Sequence, residues 1–168
     1  MGIYFNPSNA SFTRARNSMI YVDKTKLLEF LNKRLFTEDN CIALSHARRF
    51  GKSHAAGMID AYYSLGSDSS KLFDDTKIAS NADYKKYLNK YNVIHLDISS
   101  VWDFHKEDLT EAIKERICDD FREVYNDSLN YEKELYLLIY EIYRRTNTAF
   151  VIIIDEWDCI IRNSNDEE

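Results

Sequence analysis

The chain has 168 residues and a mass of 19.8 kDa, which is enough for one domain with a sizeable core and too little for two ordinary domains. Its 45% hydrophobic and 30% charged residues are typical of a soluble globular protein, and no segment approaches the apolar run of about eighteen residues that a membrane span needs. The net charge of −6 argues against a general nucleic-acid coat, which needs a basic face.

The start of the chain and its cysteines indicate a cytoplasmic protein. The first residues lack the basic start followed by an apolar run that marks a secretory signal. Cys41, Cys118 and Cys159 are scattered, without the spacing of a disulfide framework or a zinc site, and are predicted to be reduced thiols.

The first half of the chain is predicted to be mainly helical, because only four glycines and one proline interrupt the whole sequence. Residues 1–40 are predicted to form an irregular arm and an amphipathic helix with Asp23 as its N-cap. The segment "CIALS", residues 41–45, is short and apolar and predicts a buried strand. A helix should follow Gly51, with one apolar side formed by Ala55, Met58, Ile59 and Tyr62.

The second half alternates strand and helix patterns. After a polar loop near residues 66–70 and a short helix over 82–89, the segment "NVIHLDIS" predicts a strand. An apolar stripe predicts a core-packed helix from Leu109 to Val124, and a second helix is predicted over 131–145. The strongest strand signal, Phe150 to Ile154, ends at two carboxylates. This alternation predicts an α/β fold with a mainly parallel sheet flanked by helices.

The stretch Gly51-Lys52-Ser53 has the residues that end a phosphate-binding loop of the form GxxxxGKS/T, although His46 stands where the first glycine belongs. Such a loop binds phosphate oxygens through backbone N–H groups between a strand and a helix. Gly51 would let the backbone approach the phosphates, Lys52 would reach the β- and γ-phosphates, and the Ser53 hydroxyl would ligate Mg²⁺.

Asp155 and Glu156, after the last predicted strand, have the order of a Walker B element. The aspartate of such an element holds Mg²⁺, and the glutamate orients or deprotonates the attacking water. The alternative is that Lys52, Arg48 and Arg49 are ordinary surface cations and the carboxylates a solvated strand end. Two motifs in matching contexts favour the nucleotide-site interpretation.

With these motifs, the chain resembles the bacterial AAA-ATPase-like family. The stretch "IYVDKTKLLEFL" is similar to the family's YVDKT block, "RRFGKS" to its P-loop, "AYYS" to the end of the next helix, and "IIIDEWD" to its Walker B element. The family's loop typically reads RPRRFGKS, so the absence of a glycine at position 46 is a family trait, while His46-Ala47 replaces the usual Arg-Pro. ATP, rather than GTP, is implied by the resemblance alone.

The resemblance implies a P-loop NTPase-like fold that binds ATP and Mg²⁺, with Lys52 and Glu156 as catalytic residues and Ser53 and Asp155 as metal ligands. Arg48 and Arg49 are expected to make charge-assisted contacts with phosphates or with the loop. Tyr21 and Asp23 could line the site, but a packing tyrosine and a helix cap are the preferred alternative. The residues expected to bind the nucleotide are Arg48, Arg49, Phe50, Gly51, Lys52, Ser53 and His54.

In the family, a further strand, a polar sensor residue, any arginine finger and often a PD-(D/E)XK nuclease-like domain would follow the Walker B element. The chain is therefore expected to be one partial ATPase domain over residues 1–168, truncated after the Walker B strand, that hydrolyses ATP when complete. The alternative is a non-catalytic interaction or regulatory fragment with a vestigial nucleotide site. Expected partners are nucleotide and either the missing C-terminal part or another protein chain, while the acidic chain gives nucleic acid no support.

Overall fold

The structure is a computed structural model that describes residues 2–45, 50–105 and 107–164. The chain divides into two compact units. Ser8–Tyr91 form the first, here the loop unit because it contains Gly51-Lys52-Ser53. Met1–Pro7 together with Asn92–Glu168 form the second, here the strand unit because it contains both strands of the sheet. The chain therefore starts in the strand unit, builds the loop unit, and returns to the strand unit at Asn92.

The loop unit is built from helices around a central one, α3, in which every residue from Ala55 to Tyr63 is buried. The burial covers more than the single side predicted from Ala55, Met58, Ile59 and Tyr62, because α3 is packed all round. The helices of this unit are α1 (Ala10–Arg16), α2 (Lys26–Asn32), α3 (Lys52–Tyr63), α4 (Ser70–Phe73) and α5 (Tyr84–Tyr87), with a 3₁₀ turn at Lys77–Ser80.

Two buried tyrosines at the end of α3 form hydrogen bonds that connect this helix to α2 and α5. The Tyr63 hydroxyl donates to Asn32 Oδ1 at 2.7 Å, and Asn32 Nδ2 donates to the Tyr62 hydroxyl oxygen at 3.2 Å. The Tyr62 hydroxyl in turn donates to the carbonyl of Tyr84 at 2.8 Å. Burial raises the pKa of Tyr62 to about 12. The phenols therefore stay neutral at physiological pH, and Asn32 and the Tyr84 carbonyl supply their hydrogen-bond partners inside the core.

The strand unit contains a parallel two-stranded sheet with helices packed against it. Strands β1 (Asn92–Asp97) and β2 (Phe150–Asp155) pair in register from Asn92 with Phe150 to Asp97 with Asp155. The crossover between them contains α6 (Ile98–Trp102), α7 (Leu109–Tyr125), a 3₁₀ turn at Asn126–Ser128, and α8 (Leu135–Thr146). Helix α9 (Cys159–Ser164) follows β2. This arrangement confirms the predicted α/β class and the parallel pairing.

The N-terminal arm, residues 2–6, occupies the edge of β1 that faces away from β2. The backbone N–H of His95 donates to the carbonyl of Tyr4 at 2.8 Å, and that of Asn6 donates to the carbonyl of Val93 at 2.8 Å. Phe5, which is 1% exposed, enters the core between these bonds. The core of the strand unit includes Phe5, Ile94, Leu96, Ile117, Phe121, Leu138 and Ile142.

A buried carboxylate on α7 fixes this arm. The oxygens of Asp120 accept the backbone N–H groups of Ile3 at 3.2 Å, Tyr4 at 2.6 Å and Phe5 at 2.8 Å. Asp120 is only 7% exposed, so these amides supply the partners that a buried charge requires. Helix α7 thus positions the arm that completes one edge of the sheet.

Two local predictions are wrong. Cys41–Ser45 forms no strand: it has no regular structure, it is largely exposed, and it pairs with no strand in the described part of the chain. A strand exists only through its pairing, so a short apolar run without a neighbour does not form one. Asp23 is not the N-cap of α2, because Thr25 holds that position and the Asp23 carboxylate instead accepts hydrogen bonds from it.

The longer patterns were predicted correctly. Strands β1 and β2 and helices α3 and α7 lie where their patterns placed them, and the predicted helix over 131–145 is α8. The short helix predicted over 82–89 is reduced to the single turn of α5. Within residues 2–45, 50–105 and 107–164, none of the helices combines the length and hydrophobicity needed to cross a membrane.

Candidate functional site

Gly51 forms the turn that starts α3. It is the N-cap of the helix with φ +77° and ψ +39°, and its carbonyl accepts the N–H of Ala55 at 3.0 Å. This left-handed conformation is readily adopted only by glycine. A Cβ at this position would also lie 3.0 Å from Lys24 Nζ. The backbone angle therefore favours a glycine here, and a larger residue would also displace the Lys24 ammonium.

Lys52, Ser53 and His54 are the first three residues of α3. Lys52 is half-buried, while Ser53 and His54 are exposed, and the first turn contains no acidic residue. The first turn of a helix has backbone N–H groups without intrahelical acceptors and carries the positive end of the helix dipole. An ammonium, a hydroxyl and these amides form a donor set that fits a phosphate group.

Phe50 precedes the turn and is 58% exposed. The other predicted loop residues, Arg48 and Arg49 with His46 and Ala47, lie outside the described residues. The described part of the predicted loop is therefore Phe50 to His54.

The Asp23-Lys24-Thr25 block, from the YVDKT-like stretch, lies next to this turn within the loop unit. Lys24 Nζ donates to the carbonyl oxygen of Phe50 at 2.5 Å. Asp23 accepts from the backbone N–H of Thr25 at 2.8 Å and from that of Lys77 at 2.8 Å. Partial burial opposes ionisation of Asp23, but the hydrogen bonds from Thr25 and Lys77 outweigh it and hold the carboxyl pKa below its usual value. The Asp23 carboxylate thus holds the backbone of this block in place.

Tyr21 packs against other side chains of the loop unit. Its ring centroid lies 6.2 Å from the ring centroid of Phe12, and the guanidinium carbon of Arg16 lies 4.8 Å from the Tyr21 ring centroid. Burial raises the pKa of its hydroxyl. These contacts agree with the packing role that was the preferred alternative for Tyr21.

In the strand unit, Asp155 ends β2 opposite Asp97, which ends β1. Because the strands are parallel, both carboxylates belong to the same end of the sheet. Asp155 Oδ1 accepts the N–H of Glu156 at 3.0 Å, and Asp97 Oδ1 accepts the N–H and hydroxyl of Ser99 at 3.1 and 2.7 Å. Carboxylate oxygens are suitable ligands for a hard divalent cation.

No group of three or more His, Cys, Asp or Glu residues is placed to hold a metal in the described ranges. Mg²⁺ usually keeps several waters and takes only one or two carboxylates together with phosphate oxygens. The Mg²⁺-ligand role of Asp155 stays a prediction.

Glu156 is held by an ion pair immediately after the strand. Its backbone has φ +51°, which is uncommon for a residue other than glycine, and its carboxylate accepts from Arg162 Nη2 at 2.7 Å. Arg162 Nε also lies 3.2 Å from Asp158 Oδ2. The predicted water-orienting carboxylate is thus already engaged with a cation of α9.

The predicted site residues fall into two groups. Gly51 to His54 lie together in the loop unit, and Asp155 and Glu156 lie together in the strand unit. The sequence reasoning missed Lys24, Asp97 and Arg162. Asp97 could have been found, because an aspartate stands near the C-terminal end of each of the two predicted parallel strands. No local pattern indicated the contact of Lys24 with Phe50, 26 positions along the chain.

Comparison with known proteins identifies the family of this chain. Residues 9–168 match the AAA-ATPase-like family, described as predicted AAA-ATPase. The chain belongs to this family, which confirms the AAA-ATPase-like part of the resemblance drawn from its motifs and suggests a nucleotide-binding, ATPase-like domain. No curated protein matches. No solved structure matches either.

Proposed function

We propose that the chain is a P-loop domain that binds ATP with Mg²⁺ and, when the domain is complete, hydrolyses the γ-phosphate. The observation that carries the proposal is the left-handed Gly51 followed directly by Lys52 and Ser53 in the first turn of α3, in a chain of the predicted AAA-ATPase family. A P-loop binds a triphosphate and its metal with these groups in this order: a glycine turn, an ammonium and a hydroxyl.

Each predicted residue has a role in this proposal. The backbone N–H groups from Phe50 to His54 and the Lys52 ammonium hold the phosphates, with Arg48 and Arg49 adding positive charge. The Ser53 hydroxyl and the Asp155 carboxylate hold Mg²⁺, and the Glu156 carboxylate orients the attacking water. When bound, Mg²⁺ neutralises charge on the phosphate oxygens.

The first test is calorimetric titration of the 168-residue chain with a non-hydrolysable ATP analogue, with and without Mg²⁺. We expect binding that needs Mg²⁺ and that weakens at least about tenfold in Lys52→Ala, since a charge-assisted hydrogen bond contributes about 1.5–3 kcal/mol. A parallel titration with a GTP analogue tests the choice of base.

The matched control is Lys71→Ala, which removes an exposed lysine from α4 in the same unit. It should bind the analogue as the wild type does. No binding by a folded wild-type chain, or equal losses in both variants, would reject the proposal. Phosphate release by the wild type compared with Glu156→Gln then tests hydrolysis separately from binding.

A second candidate function is a non-catalytic interaction or regulatory domain with a vestigial nucleotide site. The pairing of Glu156 with Arg162 favours it, because a carboxylate held by a cation is less available to orient water. Apolar side chains of the strand unit are also exposed, with Ile152 and Ile154 each 53% exposed and Trp157 60% exposed. Folding without analogue binding is the result that this candidate predicts.

The setting of the protein is proposed from the family resemblance. We place it in a bacterial cytoplasm, with a nuclease-like domain as the expected companion of the ATPase domain. The acidic chain itself gives no support to nucleic-acid binding.

A further inference from the structure

Lys24 contacts the backbone at the entrance to α3. Its ammonium donates to the carbonyl of Phe50 at 2.5 Å, and it lies 3.0 Å from the position that a Cβ of Gly51 would occupy. Lys24 and Phe50 are 26 positions apart, so this is a tertiary contact and not a feature of a local turn. The contact falls on the peptide unit that joins Phe50 to Gly51.

The backbone that presents Lys24 is fixed on both sides. On one side, Asp23 Oδ2 accepts the N–H of Lys77 at 2.8 Å. On the other side, Thr25 is fully buried and its hydroxyl oxygen accepts the N–H of Ile78 at 3.1 Å. Both partners belong to the 3₁₀ turn at Lys77–Ser80. The base of the Lys24 side chain is therefore held, which limits the entropy lost when its ammonium is ordered.

The Phe50 carbonyl controls the direction of the next N–H group. In a trans peptide unit the carbonyl and the following N–H lie in one plane and point in opposite directions. An ammonium that holds the Phe50 carbonyl therefore also fixes the direction of the Gly51 N–H. This matters at Gly51 in particular, because glycine adopts positive and negative φ with similar ease, so this peptide unit can otherwise rotate readily.

The positive charge near this turn also favours a bound anion. Lys24 brings its ammonium group to the start of α3, whose first residue is Lys52 and whose first turn contains no acidic residue. Cations are unfavourable near the positive end of a helix dipole, and an anion bound there removes the conflict.

We propose that Lys24 is a positioning residue for nucleotide binding: it holds the Phe50–Gly51 peptide unit so that the Gly51 N–H is oriented for a phosphate oxygen. This inference rests on the proposed function, and it assigns the second basic residue near the turn a role distinct from that of Lys52. Lys24 acts through the loop backbone, whereas Lys52 contacts the phosphates.

The test compares Lys24→Met, which keeps the aliphatic stem, with Lys24→Arg, which keeps a cationic donor. Lys26→Met is the matched control, because Lys26 is an exposed lysine two positions further along the chain, at the start of α2. The readouts are affinity for the non-hydrolysable ATP analogue with Mg²⁺, the Gly51 amide signal in ¹⁵N-labelled protein without nucleotide, and the thermal midpoint.

We expect Lys24→Met to bind the analogue about five- to tenfold more weakly, to shift the Gly51 amide signal without nucleotide, and to keep the wild-type thermal midpoint. Lys24→Arg should recover most of the affinity, and Lys26→Met should match the wild type. An unchanged affinity in Lys24→Met, while Lys52→Ala still loses binding, would overturn this inference and leave the proposed function standing.

Other results would reject it for different reasons. If Lys24→Met weakens binding but leaves the Gly51 amide signal unchanged, Lys24 contacts phosphate directly and does not position the loop. If Lys24→Met and Lys26→Met lower affinity and thermal midpoint together, the block has a general structural role. If the wild-type chain binds no analogue, the inference and the proposed function are both rejected.

Discussion

At the scale of single residues, Gly51 combines a left-handed backbone with a close contact to a lysine side chain. Its φ of +77° is a conformation that costs other residues about 1–2 kcal/mol, and a Cβ would lie 3.0 Å from the Lys24 ammonium. Gly66 has a similar φ of +91° but nothing within 4 Å of the position of its Cβ. The two glycines therefore allow backbone strain to be separated from the contact with Lys24.

We expect Gly51→Ala and Gly66→Ala each to lower the free energy of unfolding by about 1 kcal/mol, because both force alanine into the left-handed region. Only Gly51→Ala should weaken binding of the ATP analogue, since Gly51 is the N-cap of α3 and its peptide unit with Phe50 accepts the Lys24 ammonium, whereas Gly66 lies outside this turn. Urea unfolding and calorimetry measure the two effects. A Gly51→Ala chain with wild-type affinity would show that the turn is not used for nucleotide.

At the scale of elements, the N-terminal arm behaves as part of the sheet although it is not one of its strands. Its backbone pairs with β1, and its Tyr4 and Phe5 N–H groups donate to the Asp120 carboxylate of α7. One side chain therefore links a helix, the arm and the strand edge. Removing it should release the arm rather than α7, because α7 keeps its own apolar contacts through Ile117 and Phe121.

We expect Asp120→Ala to lower the free energy of unfolding by about 2–4 kcal/mol, because it leaves three amides without their charged acceptor. Hydrogen exchange at Tyr4 and Phe5 should accelerate more than exchange in α7. The neighbouring Asp119→Ala is the control, since Asp119 is exposed and only pairs with Arg122, and it should change stability by less than about 0.5 kcal/mol. Equal effects of the two substitutions would contradict this role of Asp120.

The elements that could be predicted from the sequence are those whose pattern is long. Leu109, Ile117 and Phe121 fall on one face only if the segment is helical, so their spacing predicts α7. The apolar run of β2 is continuous up to Asp155, and this predicts a strand that ends there. Cys41–Ser45 was misassigned because a run of four apolar residues does not reveal whether a pairing neighbour exists. The Asp120 clamp and the contact of Lys24 with Phe50 join distant positions, which no local pattern can reveal.

At the scale of the whole molecule, the two units differ in how completely their strands and cores are covered. In the loop unit, α3 is buried all round. In the strand unit, the arm pairs with β1, but β2 pairs on one edge only in the described part of the chain, and its Ile152 and Ile154 are each 53% exposed. An unpaired edge and exposed apolar side chains lower the local stability of a unit. The strand unit should therefore be the less stable of the two.

Fluorescence separates the units, because both tryptophans of the chain, Trp102 and Trp157, belong to the strand unit, whereas far-UV circular dichroism reports helices of both. We expect the fluorescence transition in urea at a lower concentration than the circular dichroism transition, because the strand unit should open first. Trp157→Phe is the control: it leaves Trp102, at the end of α6, as the sole fluorescent tryptophan, and the order should persist. Coincident transitions in both proteins would instead mean that the chain unfolds as a single cooperative unit despite the open edge of β2.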